Sequence, residues 1–175
     1  MSKIFAHAKD IYSINPNFFD QFNIKYLVCD LDQTLVPSNA KELDPRAFKL
    51  KEDLSKHNIE LLVVTNNHKK RVAPMCEKLG VRYLYHANKF FGHRVKRWLN
   101  KLNISVDECI FVGDLIYSDY LYVSKIKGRL ILTMPLSNKD NIYTKLIRKR
   151  DNHLRNKWLQ NDELGMLVPS MDMEE

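Results

Sequence analysis

Glycine is scarce in this 175-residue chain. There are five, Gly80, Gly92, Gly113, Gly128 and Gly165. Neither G-x-G-x-x-G nor a Walker A loop can be assembled from them, which excludes the usual dinucleotide and P-loop nucleotide sites. Cysteine is scarce as well. Cys29, Cys76 and Cys109 show no C-x-x-C pairing, so buried free thiols in a reducing compartment are expected rather than a disulfide or a thiolate metal site. No run of 18 apolar residues exists, hence no spanning helix is expected. Residues Met1–Asp10 lack the apolar core of a signal peptide. A cytoplasmic location is the expectation.

Charge is abundant and unevenly placed around a net +7. Residues 137–160 hold seven basic and two acidic residues, a balance of +5. Residues 161–175 hold five acids and no base, a balance of −5. The remainder carries +7, which suits an anionic substrate or surface without identifying one. The length fits one domain over 1–160. The acidic tail 161–175 is expected to be disordered.

Strand-length apolar runs alternate with helical patterns. Strands are expected within 26–29, 59–64, 81–85, 109–112 and 130–133. Helices are expected at 16–22, 45–57, 68–79, 90–102, 116–126 and 138–160. Asn15 and Pro16 form a helix start, and Phe18, Phe19 and Phe22 give that helix an apolar side. Phe91, Val95, Trp98, Leu99 and Leu102 should share one side of 90–102. The long basic helix should dock through Ile142, Leu146, Leu154 and Trp158. This alternation predicts an α/β fold, a doubly wound parallel sheet with helices on both faces. Ligands in such sheets bind at the carboxyl ends of the strands.

Several strands end in a switch from apolar to polar residues. Lys25–Val36 is the sharpest case, with Asp30 and Asp32 one residue apart at a strand end. Side chains at i and i+2 leave an extended chain on the same side. Two carboxylates so close raise each other's pKa. A divalent cation relieves the conflict and leaves one carboxylate to attack an electrophile. Thr65 and Asn66 follow the second long strand and can donate to a phosphate oxygen. Lys89 stands ahead of a helix, where it could neutralise a nucleophile and a transferring phosphoryl group; Lys96 is the fallback. Gly113-Asp114 ends a further strand, and Asp114 offers a hard oxygen ligand.

Asp30-Leu-Asp32-Gln-Thr34 resembles D-x-D-x-T, the first motif of the haloacid dehalogenase-like (HAD) superfamily, with Gln33 where Asn or Gly is more common. Thr65, Lys89 and Gly113-Asp114…Asp119 resemble the second, third and fourth motifs, in order. Pro follows the motif-three Lys in bacterial relatives; here it is Phe90. The spans Asp32–Thr65 and Asn67–Lys89 each hold one helix, leaving no room for a cap domain. The layout resembles subclass IIIA and the YqeG-like bacterial phosphatases over roughly residues 10–150, including Met134-Pro135-Leu136, Lys139-Asp140, Thr144-Lys145 and Arg148.

The resemblance implies an HAD-like Rossmannoid phosphomonoesterase. Asp30 would be the nucleophile forming an aspartyl phosphate, and Asp32 the general acid/base. Thr65, Asn66 and Lys89 would bind phosphate. Mg²⁺ would be held by Asp30, the Asp32 carbonyl and Asp114, with Asp119 as an outer partner. Organellar relatives imply a phosphatidylglycerophosphate headgroup as substrate, with peripheral membrane contact through 138–160. A soluble sugar or nucleotide phosphate is the alternative substrate. Two rivals come from other classes. A receiver domain needs an acceptor Asp after its third strand, where this chain has Leu84-Tyr85-His86. An RNA- or ribosome-binding module should interleave basic and exposed aromatic residues; nucleic acid is not the expected partner.

Overall fold

The computed structural model describes residues 4–138 and 142–170, with the side chains of 142–144 left aside. Lys139 and Asp140, and the side chains of Ile142 and Thr144, therefore lie outside the described residues. Seven strands form one parallel sheet: β1 (Ala6–Ala8), β2 (Tyr26–Cys29), β3 (Glu60–Val64), β4 (Arg82–Leu84), β5 (Cys109–Gly113), β6 (Arg129–Thr133) and β7 (Met166–Leu167). Their order is β4-β3-β2-β5-β6-β1-β7. The sheet carries α1 (Pro45–Lys56), α2 (Lys69–Leu79), α3 (His93–Lys101), α4 (Leu121–Lys125) and α5 (Ile142–Gln160).

Alternation along β2 sorts the core. Leu27 and Cys29 face one layer with α1, α2 and the Phe18–Phe19 segment. Val28 faces the other with Val95 and Leu99 of α3, Tyr122 of α4 and Trp158 of α5. Both faces are covered, as parallel sheets require. The strand order reverses beside β2, whose neighbours are β3 and β5. That switch opens a crevice at the carboxyl ends. All three cysteines are buried and free.

Five expectations need correction. The segment Pro16–Phe22 is a 3₁₀ helix, although Asn15 caps it as expected, accepting from the Asn17 N–H at 3.0 Å. α3 begins at His93, not at residue 90. Gly92 precedes it at φ +74°, and a side chain there would press on the Tyr122 carbonyl, 3.1 Å away. Phe91 thus lies outside the helix and is 54% exposed. Residues 161–170 are not a loose tail. β7 pairs with β1, while Leu164 and Val168 are buried. β1 itself, three residues of small side chains, is too short for a readable alternation. Leu146 does not dock α5 but is 66% exposed.

Candidate active site

Four strand ends build the site. Asp30 follows β2, its N–H donating to Val112 O at 2.9 Å so that the chain stays aligned with β5. Thr65 follows β3, Lys89 lies in the loop after β4, and Asp114 follows β5. They line one cavity of about 280 Å³, together with Asp32, Asn66, Asn67, Ser118 and Arg148.

Lys89 is fully buried and sits between carboxylates. Its Nζ lies 2.7 Å from Asp30 Oδ1 and 2.8 Å from Asp119 Oδ1. Burial alone would lower the lysine pKa, but Asp119 and Asp30 hold it above the ordinary value. Lys89 is thus a fixed cation, not a proton donor. Burial pushes the Asp30 carboxyl up to about 8; Lys89 opposes the shift, while Asp119 and Asp114 add to it. Asp114 is pushed up to about 6 by burial and Asp119, against Arg148.

Asp30, Asp114 and Asp119 bring one carboxylate oxygen each to within 4.8 Å of one another. Such hard-oxygen donors fit a divalent cation. Two of them are driven toward protonation by burial and mutual repulsion, which a cation would relieve. Gly113 makes the convergence possible. A Cβ on Gly113 would lie 2.2 Å from Asp119 Cγ. Asp119 accordingly stands inside the carboxylate cluster rather than beyond it. Its Oδ2 also accepts from the Leu115 N–H at 3.0 Å.

Asp32 faces elsewhere. Its Oδ1 accepts from Arg71 Nε at 3.0 Å, and its Oδ2 from Asn67 Nδ2 at 2.7 Å. Asn66 mainly braces the loop, its Oδ1 accepting from the Lys89 N–H at 2.9 Å. Thr65 Oγ1 accepts from the Asn67 N–H at 3.1 Å. Lys96, the fallback for Lys89, is exposed on α3. Gln33 adopts φ +64°, a left-handed conformation that Asn and Gly tolerate better. Its side chain compensates, Oε1 accepting from Ser137 N and Oγ at 2.9 and 3.1 Å.

Arg71 and Arg155 escaped sequence reasoning, and Arg148 was named there without a role. Arg71 sits two residues into α2 and reaches back to Asp32. Arg148 and Arg155 come from α5. Arg148 Nη1 is 2.6 Å from Asp114 Oδ2. Arg155 Nη2 donates to the Asp114 carbonyl at 2.8 Å and to Thr133 O at 3.0 Å. The spacing 148, 151, 155, 158 marks one helix face, but three of those four residues are charged.

No protein-family model matches the chain. By sequence it is similar to the protein named as the probable phosphatase YqeG of Bacillus subtilis (strain 168), 29% identical over 142 residues, 81% of this chain and 83% of that protein. By fold it is similar to a Vibrio cholerae protein assigned as a 3-deoxy-D-manno-octulosonate 8-phosphate phosphatase. That match has a TM-score of 0.55 at 19% identity, covering 79% of this chain and 78% of that one. An uncharacterised Listeria monocytogenes serotype 4b protein has a TM-score of 0.54 at 12% identity, covering 83% and 90%. By sequence, then, the chain is similar to a probable phosphatase and by fold to a phosphatase structure, and its buried lysine and carboxylate cluster meet at one switch point of the sheet.

Proposed function

We propose that the chain is an Mg²⁺-dependent phosphomonoesterase working through an aspartyl phosphate on Asp30, with a phosphatidylglycerophosphate headgroup as substrate. The observation that carries the mechanism is Lys89. A fully buried ammonium in the cavity wall touches both Asp30 and Asp119. Asp30, Asp114 and the Asp32 carbonyl would hold the cation, which supplies positive charge at the phosphoryl oxygens.

Asp30 attacks phosphorus in line, and the P–O bond to the leaving alkoxide breaks. Asp32 gives that alkoxide a proton and later takes one from the attacking water, which frees Asp30 and inorganic phosphate. Arg71 and Asn67 hold the Asp32 carboxylate in place between these steps. Lys89 keeps Asp30 oriented and offsets charge as it grows on the phosphoryl group. Thr65 and the amides after it receive the phosphoryl oxygens.

The lipid reading is supported by the surroundings of the cavity. Among the described residues no further domain covers the site, so an ester on a surface can reach it. Ile147, 42% exposed, lines the cavity, and Leu146 beside it is 66% exposed. Lys145, Lys149 and Arg150 are exposed on the same helix. Apolar and cationic side chains together suit an anionic membrane surface. Among the described residues no helix is long and apolar enough to cross a membrane.

The test is phosphate release from phosphatidylglycerophosphate in mixed micelles against a panel of soluble sugar and nucleotide phosphates, with Mg²⁺ and with chelator. Asp30→Asn is expected to fold and to lose at least about 10³-fold in turnover. Preference for a soluble ester would leave the mechanism and remove the lipid. Metal-dependent turnover retained by Asp30→Asn would remove the nucleophile.

A further inference from the structure

Phosphoryl transfer at this pocket, the reading on which the following rests, leaves one charge unassigned. Asp30, Asp114 and Asp119 bring three negative charges when ionised, and Lys89 returns one. A divalent cation brings the total to neutral. A phosphate monoester adds close to two further negative charges, and Lys89 is already engaged by two carboxylates. Among the residues lining the cavity, the other cation is Arg148.

Arg148 is not a surface residue that strays inward. It is only 9% exposed. α5 is fastened to the Asp114 turn by buried ionic groups. Asp151 is wholly buried, and its Oδ1 accepts from the Ile116 N–H at 2.6 Å and the Tyr117 N–H at 3.2 Å. Arg155 binds the Asp114 and Thr133 carbonyls. Trp158 packs edge-on against Tyr120 at 5.0 Å. Burying three charged side chains from one helix is costly unless they hold something in place. What they hold is the guanidinium of Arg148, at the rim of the carboxylate cluster.

We propose that Arg148 is the second phosphate-binding cation of the active site, resting on Asp114 in the substrate-free protein and turning its planar fork to the phosphoryl oxygens when an ester binds. A guanidinium presents parallel donors to two phosphate oxygens at once, which an ammonium cannot do. The rival role is purely positional: Arg148 would fix the Asp114 carboxylate as a metal ligand and never meet substrate. The two roles separate in the quantity they change. A phosphate contact alters phosphate affinity. A positional contact alters cation affinity.

The experiment compares wild type with Arg148→Gln, Arg148→Lys and Lys157→Gln, the last removing an exposed charge from the same helix. Three quantities are read: inorganic phosphate affinity by calorimetry in saturating Mg²⁺, Mn²⁺ affinity by electron paramagnetic resonance, and KM and kcat for p-nitrophenyl phosphate. In Arg148→Gln, phosphate affinity is expected to fall about 10- to 100-fold, the worth of one to two charge-assisted hydrogen bonds. KM should rise in parallel, and Mn²⁺ affinity should hold or tighten. Arg148→Lys should lose less, and Lys157→Gln should match wild type. Should Arg148→Gln fail to fold, Arg148→Lys carries the same comparison, with weakened phosphate binding at unchanged Mn²⁺ affinity expected. Unchanged phosphate affinity, or a loss of Mn²⁺ affinity that accounts for the loss of phosphate, overturns the proposal. Wild type releasing no phosphate from any ester overturns the phosphatase reading first. An active wild type with unaltered Arg148 variants overturns only this assignment.

Discussion

Helices α3 and α5 are both basic, and they spend their charge in opposite ways. α3 docks through Val95 and Leu99, so His93, Arg94, Lys96, Arg97 and Lys101 all face outward. No acid occurs in the sequence between Glu77 and Asp107. Among the described residues, Arg94, Lys96, Arg97 and Lys101 have no carboxylate within ion-pair distance. α5 docks by its charges instead, with Arg148, Asp151 and Arg155 buried. Basic composition therefore does not say whether a helix serves the surface or the site. The discriminating feature is an acid within the stripe: Asp151 lies three residues from Arg148 and four from Arg155.

The comparison can be broken in four places. The largest effect is expected from Asp151→Ala, which strips two backbone N–H groups of their acceptor and leaves Arg155 without its carboxylate. A loss of about 3–5 kcal/mol in urea unfolding is expected; a loss under about 1 kcal/mol would show that α5 is held by Trp158 alone. Next comes pH. Asp30 at about 8 and Asp114 at about 6 both lie above the usual carboxylate value in the folded protein. Their contribution to stability is thus fully present at acidic pH and is lost as pH rises through these values. Chelated protein should lose a few kcal/mol between about pH 4 and 8, and Mg²⁺ should flatten the profile. A chelated protein that gains stability over that range would contradict the crowding of the carboxylates.

Gly113→Ala comes third. Its Cβ must displace Asp119, at about 1–3 kcal/mol, and should cost activity through the Lys89 contact; full activity would mean Asp119 has room to move. Smallest is Arg97→Ala on α3, expected within about 0.5 kcal/mol of wild type. A larger loss in thermal or urea unfolding would reveal a partner for the outward face.

The same contrast explains what the sequence made readable. Asp30, Thr65 and Asp114 were legible because each follows an apolar strand, and the chain turns polar where the sheet ends; Lys89 was legible as a lysine ahead of a helix. The parallel layout followed from the same alternation. Gln33 looked like a blemish in its motif; its positive φ and its bond to Ser137 show a side chain that repays the strained turn from 104 residues away. Arg148 stood in the sequence only as part of a resemblance and Arg155 only in a charge balance, because a docking stripe was sought among apolar residues. Arg71 was hidden because its partner, Asp32, lies 39 residues earlier. β1 and β7 were missed because strands of three and two residues carry no pattern of their own, and pairing alone defines them.

That pairing also sets a schedule. Ala6 aligns with Ile131 on one side and with Met166 on the other. At a synthesis rate of about 5–20 residues per second, β1 waits on the order of ten seconds for either neighbour. The central strands β2, β3 and β5 can assemble first, around the crevice. β1 joins only once β6 has been made, its unpaired edges exposed to other chains in the interval. β1 can therefore take its place in the sheet only after strands that lie more than 120 residues further along the chain.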